Sequence, residues 1–223
     1  MLPHGVKMIV GIDRLDPTKG LVERLRGVEA LLETRPEWQG RLSFVQVAAP
    51  TRPGVPAYAA LHAELRAEAA RINARFNGAG NGPIRLLDTH HDRAAVDALY
   101  RAADVCLVSS LHDGMNLVCK EFVAARSDEQ GVLVLSRFTG AAEELTEALI
   151  VNPYHAGQMA QALHEGLTMP RAEQRRRMRA LRNTVRVHNV YRWAAYMLLD
   201  AAAARGAEST VVRRSAVRAP ALS

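Results

Sequence analysis

Sulfur and aromatic rings are scarce in this sequence. Cysteine occurs twice in 223 residues, as Cys106 and Cys119, and neither has metal-ligand spacing to a second Cys or a His pair. A disulfide framework and a zinc site are therefore not expected, and two reduced, packed thiols in a soluble cytoplasmic protein are. Aromatics make up 5% of the chain, and none interleaves with the basic clusters at Arg171–Arg177 and near the C-terminus. The formal charge of +6 and the pI near 9.8 would suit nucleic acid or phosphorylated small molecules, but without rings beside the cations nucleic acid is not the expected partner. No apolar run is long enough to span a bilayer and the N-terminus has no signal-peptide pattern, so no membrane partner is expected either. A GxGxxG turn, a Walker-type loop, a zinc pattern and a Ser-His-Asp order are all missing, which counts against a dehydrogenase, an NTPase and a hydrolase.

What is present is a 48% hydrophobic chain in which short apolar runs alternate with amphipathic segments. Strands are predicted at Lys7–Ile12, Leu42–Ala48, Ile84–Leu87, Val105–Val108, Val132–Ser136 and Ala148–Val151. Between them lie helices at Leu21–Thr34, Pro56–Phe76 and Ala94–Ala103, a helix bearing Lys120 and Glu121, and a short one at Ala141–Leu145. This order implies an α/β fold with a mostly parallel, Rossmann-like sheet and right-handed crossovers. From His155 the pattern is all-helical, with segments at Gly157–Leu167, Arg171–Val187 and Val190–Ala204. Residues 1–205 are expected to form one domain with C-terminal helices, and 206–223 a disordered tail.

Candidate chemistry gathers where strands end. Arg14 and Lys19 lie five apart in the loop after the first strand, and Arg52 follows the second. Such cations would neutralise a diphosphate, the leaving group whose charge grows when a sugar is transferred from a nucleotide. After Val105–Val108 the turn His112-Asp113-Gly114 enters a helix. Asp113 could accept sugar hydroxyls or serve as a helix cap, and Glu121 could accept ribose hydroxyls or face solvent. Of the adjacent His90 and His91, at most one would face the site. Trp38 and Trp193 read as packing residues.

The segments VGIDRLDPTKGL, VQVAAPTR, ADVCLVSSLHDGMNLVCKEFVAAR, GVLVLSRFTGAAEEL and ALIVNPY resemble, in order and spacing, the C-terminal half of the trehalose-6-phosphate synthase family, glycosyltransferase family 20. The resemblance runs from about Val10 to Asp200. It implies the nucleotide-sugar half of a GT-B fold, in which two Rossmann-like domains face each other across a cleft. It also implies a retaining, metal-independent and cofactor-free transfer of glucose from UDP-glucose to glucose 6-phosphate. Retention would come from front-face attack, with the departing phosphate taking the acceptor's proton. Carried over by position, Arg14 and Lys19 would bind the diphosphate, Leu117, Val118 and Glu121 the nucleoside with Glu121 on the ribose, and Asp113 the donor glucose, with Cys119 and Lys120 also in the donor site. Arg52 would bind the acceptor phosphate, and His91 falls in the donor site. The catalytic set is then Asp113, Arg14 and Lys19. His112 stands where many members have Arg, and His91 where some have an aromatic. The family's N-terminal domain has no counterpart in this sequence and is an expected partner, with homo-oligomerisation left open. Two other readings remain: a non-catalytic module that senses nucleotide sugars or sugar phosphates, and a related transferase with a different acceptor.

Overall fold

The structure, a computed structural model, describes residues 5–52, 54–77 and 82–216. Six strands form one sheet: β1 (Lys7–Arg14), β2 (Leu42–Ala49), β3 (Ile84–Leu87), β4 (Val105–Val108), β5 (Val132–Ser136) and β6 (Leu149–Val151). The helices are α1 (Leu21–Thr34), α2 (Pro56–Arg75), α3 (Arg93–Ala102), α4 (Leu117–Ala125), α5 (Ala156–Thr168), α6 (Arg171–Val187) and α7 (Val190–Ala216). Every strand pair is parallel. β1, β2, β4 and β5 are buried almost end to end, as they must be when helices cover both faces, and the edge strands β3 and β6 are partly exposed.

Packing follows the period of two. In β4, Val105 and Leu107 join the core made with α1, α2 and α5, whereas Cys106 and Val108, equally buried, alternate with them and point to the other face. On α1, Leu21, Leu25, Val28, Leu31 and Leu32 are all 4% exposed or less, so this helix is fixed by a core stripe in which each leucine contributes roughly 1.5–3 kcal/mol. α3 lies beside α4, with Tyr100 edge-on to Phe122. Asp92 caps α3 by accepting from the Ala95 N–H.

Three elements differ from the sequence expectation by more than a single residue at an end. β1 runs two residues past Ile12, because parallel pairing with β2 carries Asp13 and Arg14 along. Gly140–Glu143 forms a 3-10 turn in place of a short α-helix. α7 passes through Arg205 and Gly206 to Ala216, since one glycine in an alanine-rich run costs only about 1 kcal/mol. The chain divides into two compact units, Met1–Asn183 and Thr184–Ser223. The expected tail residues 217–223 lie outside the described residues. Trp38 is buried, as a packing residue should be, but Trp193 is 57% exposed.

The strand order is β3-β2-β1-β4-β5-β6. The direction of winding reverses between β1 and β4, and in open α/β sheets ligands bind at the carboxyl end of such a switch point. The ladder between β1 and β4 holds only at Ile9↔Val105 and Val10↔Cys106, whereas β1 stays paired with β2 as far as Arg14↔Ala49. A crevice therefore opens between β1 and β4.

Candidate functional site

Two loops line the crevice. The first leaves β1 at Arg14, an exposed residue, and turns through Pro17–Lys19. Asp16 caps that turn by accepting from the Thr18 backbone N–H. The second leaves β4 at Ser109 and runs to Asn116. The loops are stitched together by the Leu111 N–H, which donates to the Thr18 carbonyl at 2.8 Å. Across the crevice Lys19 Nζ donates to Asp113 Oδ2 at 2.5 Å, with both side chains about one-seventh exposed. The phosphate-type cation and the carboxylate expected from sequence are thus brought into direct contact.

Asn116 fixes Asp113 from the other side. Its backbone has φ 75°, a conformation asparagine tolerates better than most residues. Its Oδ1 accepts from the Cys119 N–H at 3.0 Å, capping α4, while its Nδ2 donates to Asp113 Oδ2 at 3.0 Å. A third support comes from the segment after β5. The Asp113 N–H donates to the Phe138 carbonyl at 3.1 Å, and the Gly140 N–H donates to the Asp113 carbonyl at 2.9 Å. Loss of the cap and the carboxylate contact together gives Asn116→Ala an expected cost of about 1–2 kcal/mol in denaturant unfolding; an unchanged midpoint would contradict this role.

The rest of α4 divides by face. Leu117 is 61% exposed at the open N-terminus of the helix, and Val118 is partly exposed. Glu121 is exposed and accepts from the buried Tyr100 hydroxyl at 3.3 Å. The Cys119 side chain is wholly buried, and burial pushes its thiol up to about 12, so it stays neutral. Lys120 is drawn to Glu144, 2.7 Å away, beyond the loop after β5. Of the α4 residues carried over as donor-binding, Leu117, Val118 and Glu121 share the open side, and the Cys119 and Lys120 side chains are engaged elsewhere.

His91 sits just before α3, its Nδ1 2.9 Å from the Thr89 carbonyl, which makes that nitrogen the donor. His90 is exposed. Arg52, at the end of β2, has φ 47° and lies over the Tyr58 ring at 5.6 Å. The Tyr58 hydroxyl in turn reaches Asp16 at 3.5 Å, so Arg52 is tied to the turn that carries Lys19. Arg14, Lys19, Arg52, Asp113 and the N-terminus of α4 therefore occupy one edge of the sheet.

Burial alone would raise the Asp113 carboxyl. Hydrogen bonds from Lys19 and Asn116, with the Lys19 charge, outweigh it and hold the group below its ordinary value. Because the folded value is depressed, the stability this group contributes is present above the ordinary aspartate range and is lost only as pH falls through the lowered value. A carbon-13 titration of the Asp113 carboxyl is expected to give a midpoint below about 3.9; a midpoint at or above that value would contradict the tie to Lys19.

A cavity of about 190 Å³ lies at the opposite, amino edge of the sheet, lined by Lys7, Asp104, Arg126, Asp128, Arg171 and Gln174 among others. Its polar groups are paired with one another: Lys7 with Asp104, Arg126 with Asp128, and Gln174 with the Gly131 N–H. The candidate site residues lie at the other edge, along an open crevice. Among the described residues no cluster of His, Cys, Asp and Glu could hold a metal ion, and no helix is long and apolar enough to cross a membrane.

Sequence reasoning passed over three residues of this site. Asn116 stood inside a quoted motif but received no role. Arg24 and Ser109, both 0% exposed, lie beneath the two loops. The signal for Arg24 was a cation three residues after Leu21, on the face of α1 that carries the core stripe.

The sequence model of glycosyltransferase family 20 matches residues 2–203. A trehalose-6-phosphate synthase of Klebsiella pneumoniae is 44% identical over 87% of this chain and 41% of its own length. The crystal structure of an alpha,alpha-trehalose-phosphate synthase (UDP-forming) from Burkholderia xenovorans, in complex with glucose-6-phosphate, is 45% identical. It superposes with a TM-score of 0.85 over 88% of this chain and 44% of that one. The E. coli protein bound with UDP-2-fluoro glucose is 42% identical, with a TM-score of 0.85 over the same share of this chain. The chain thus spans less than half the length of these relatives.

Proposed function

The chain belongs to glycosyltransferase family 20, and on that premise we propose that it is the donor-binding half of a trehalose-6-phosphate synthase, holding UDP-glucose for transfer of glucose to glucose 6-phosphate. The observation that carries this reading is the contact between Lys19 and Asp113 across the β1/β4 crevice, which sets a diphosphate-type cation beside an acceptor for sugar hydroxyls. The relatives bound to glucose-6-phosphate and to UDP-2-fluoro glucose support it.

In this reading Arg14 and Lys19 take the diphosphate. The bond from the anomeric carbon to the diphosphate oxygen breaks, a bond to the acceptor hydroxyl forms, and the acceptor's proton passes to the departing phosphate. Negative charge grows on the diphosphate as the bond breaks, and two fixed cations stabilise it where it develops. They give this charge stabilisation without a metal ion. Asp113 accepts from hydroxyls of the donor glucose, and its fall below the ordinary carboxylate value keeps it ionised for that task. Glu121 accepts the ribose hydroxyls, with Leu117 and Val118 against the nucleoside and His91 at the rim. Arg52 takes the phosphate of the acceptor. To do so it leaves the Tyr58 ring, a contact of roughly 0.5–1 kcal/mol at an exposed site.

Catalysis needs groups from both walls of a cleft, so the chain alone is expected to bind donor and turn over poorly. The test is complementation. The remaining part of the Burkholderia xenovorans relative is supplied as a separate polypeptide, and UDP release is followed with UDP-glucose and glucose 6-phosphate. Release that needs both polypeptides and both sugars supports the proposal. No release from a mixture that demonstrably associates and binds UDP-glucose would overturn the catalytic reading in favour of a sensing module.

A further inference from the structure

From the geometry beneath the crevice we infer that Ser109 and Arg24 are positioning residues for diphosphate binding, although neither can touch a ligand. The inference rests on the nucleotide-sugar reading above and assigns part of that site's precision to side chains under its floor.

The crevice opens because β1 and β4 stop pairing after Val10 and Cys106. Something must set the gap between the separated strand ends, since Lys19 hangs from one side and Asp113 from the other. Arg24 fills that position. From α1 its guanidinium crosses above Gly11, where an added Cβ would lie 2.6 Å from Arg24 Nη1 and 2.8 Å from Gln46 Oε1. Only a glycine in β1 leaves room for the crossing.

Its hydrogen bonds then reach three strands. Nη2 donates to Asp13 Oδ2 at 2.6 Å in β1, Nη1 to Gln46 Oε1 at 3.1 Å in β2, and Nε to Ser109 Oγ at 2.9 Å at the end of β4. Ser109 passes the connection on, its hydroxyl donating to the Gly20 carbonyl at 3.1 Å, and Arg24 Nη2 also reaches the Lys19 carbonyl at 3.5 Å. The Gly20 carbonyl, one residue on from Lys19, is therefore held to the end of β4 by one buried serine, with Arg24 as the brace. Charge-assisted bonds in a dry setting hold direction well. Arg24 and Ser109 are 0% exposed, so any effect they have on binding passes through the loops above them.

The nucleoside side has anchors beyond the Ser109 bond. α4 is capped by Asn116, and its neighbour Ser110 is fixed by Ser136, whose hydroxyl donates to the Ser110 carbonyl at 2.6 Å. Loosening the Ser109 clamp should therefore disturb diphosphate binding and spare nucleoside binding, a selectivity that general destabilisation does not produce.

The experiment measures dissociation constants for UDP and for uridine by NMR titration, on the parent chain and on Ser109→Ala, well below each protein's unfolding transition. Ser109→Ala removes one hydroxyl and keeps the Asp13–Arg24 pair, so it is expected to fold. We expect UDP binding to weaken by about tenfold, the size of a buried hydrogen bond lost from an ordered site, and uridine binding to stay within a factor of two. Equal UDP affinity in parent and variant would overturn the inference, and so would an equal loss for UDP and uridine. Failure of the parent to bind UDP at all would instead remove the nucleotide-sugar reading, which separates the two conclusions.

Discussion

Replacing Arg24 with Met is expected to destabilise the chain by about 3–5 kcal/mol, the usual cost of leaving one member of a buried ion pair unmatched. Asp13 would be the stranded partner. Its side chain is 2% exposed, burial already pushes its carboxyl up, and the Arg24 charge and hydrogen bond are the main opposing influences. Without the guanidinium, Asp13 must take up a proton or draw in water, and Gln46 and Ser109 lose a donor as well. Removing both charges is milder than removing one. The double variant Asp13→Leu, Arg24→Met should recover much of the loss in urea unfolding, because two apolar side chains of similar volume replace the pair. A single variant within 1 kcal/mol of the parent would contradict the burial and pairing described above.

Gly140→Ala is expected to cost about 1–3 kcal/mol through overpacking, and to weaken binding of UDP-glucose by at least about tenfold, the size of a charged hydrogen bond lost when Asp113 is misplaced. A Cβ on Gly140 would lie 2.1 Å from the Gly114 carbonyl oxygen. Both groups are backbone, so no side chain can turn aside to relieve the clash. One of the two backbone segments must shift, and the segment after β5 is bonded to the Asp113 carbonyl through the Gly140 N–H. Gly114, in the same contact, is the control: an added Cβ there meets nothing within 4 Å, so Gly114→Ala should leave stability unchanged. Equal thermal midpoints for the two variants would show that the approach of the two loops is not tight.

Much of this was legible from residue order. The six strands and their parallel pairing follow from apolar runs interrupted by turns, and Asp113, Lys19 and Arg14 were found because polar residues at strand ends stand out against such runs. The misses have physical causes. β1 was cut at Ile12 because Asp13 and Arg14 break the apolar pattern, yet a ladder can continue through polar residues when their side chains find partners, as Asp13 does in Arg24. Arg24 itself was passed over because a cation among core leucines on one helix face reads as noise until a buried carboxylate is known to face it. The run Leu117–Glu121, read whole as donor-binding, divides between two faces once it is helical. Cys119 turns inward with Phe122 and Val123, all three 0% exposed, and Lys120 pairs with Glu144, a partner distant in sequence. Asn116 illustrates the same limit, since its left-handed backbone and its two hydrogen bonds become visible only once the two loops are brought together.

The most direct test of the central claim is a calorimetric titration of the chain with UDP-glucose, repeated on Arg14→Ala. Arg14 is exposed at the end of β1, so its removal should leave the fold intact and any change will report on the ligand. The account predicts saturable binding that Arg14→Ala weakens by about 1.5–3 kcal/mol, the range for a lost hydrogen bond to a charged group. No binding by the folded parent, or equal binding by parent and variant, would contradict a diphosphate site at the β1/β4 crevice.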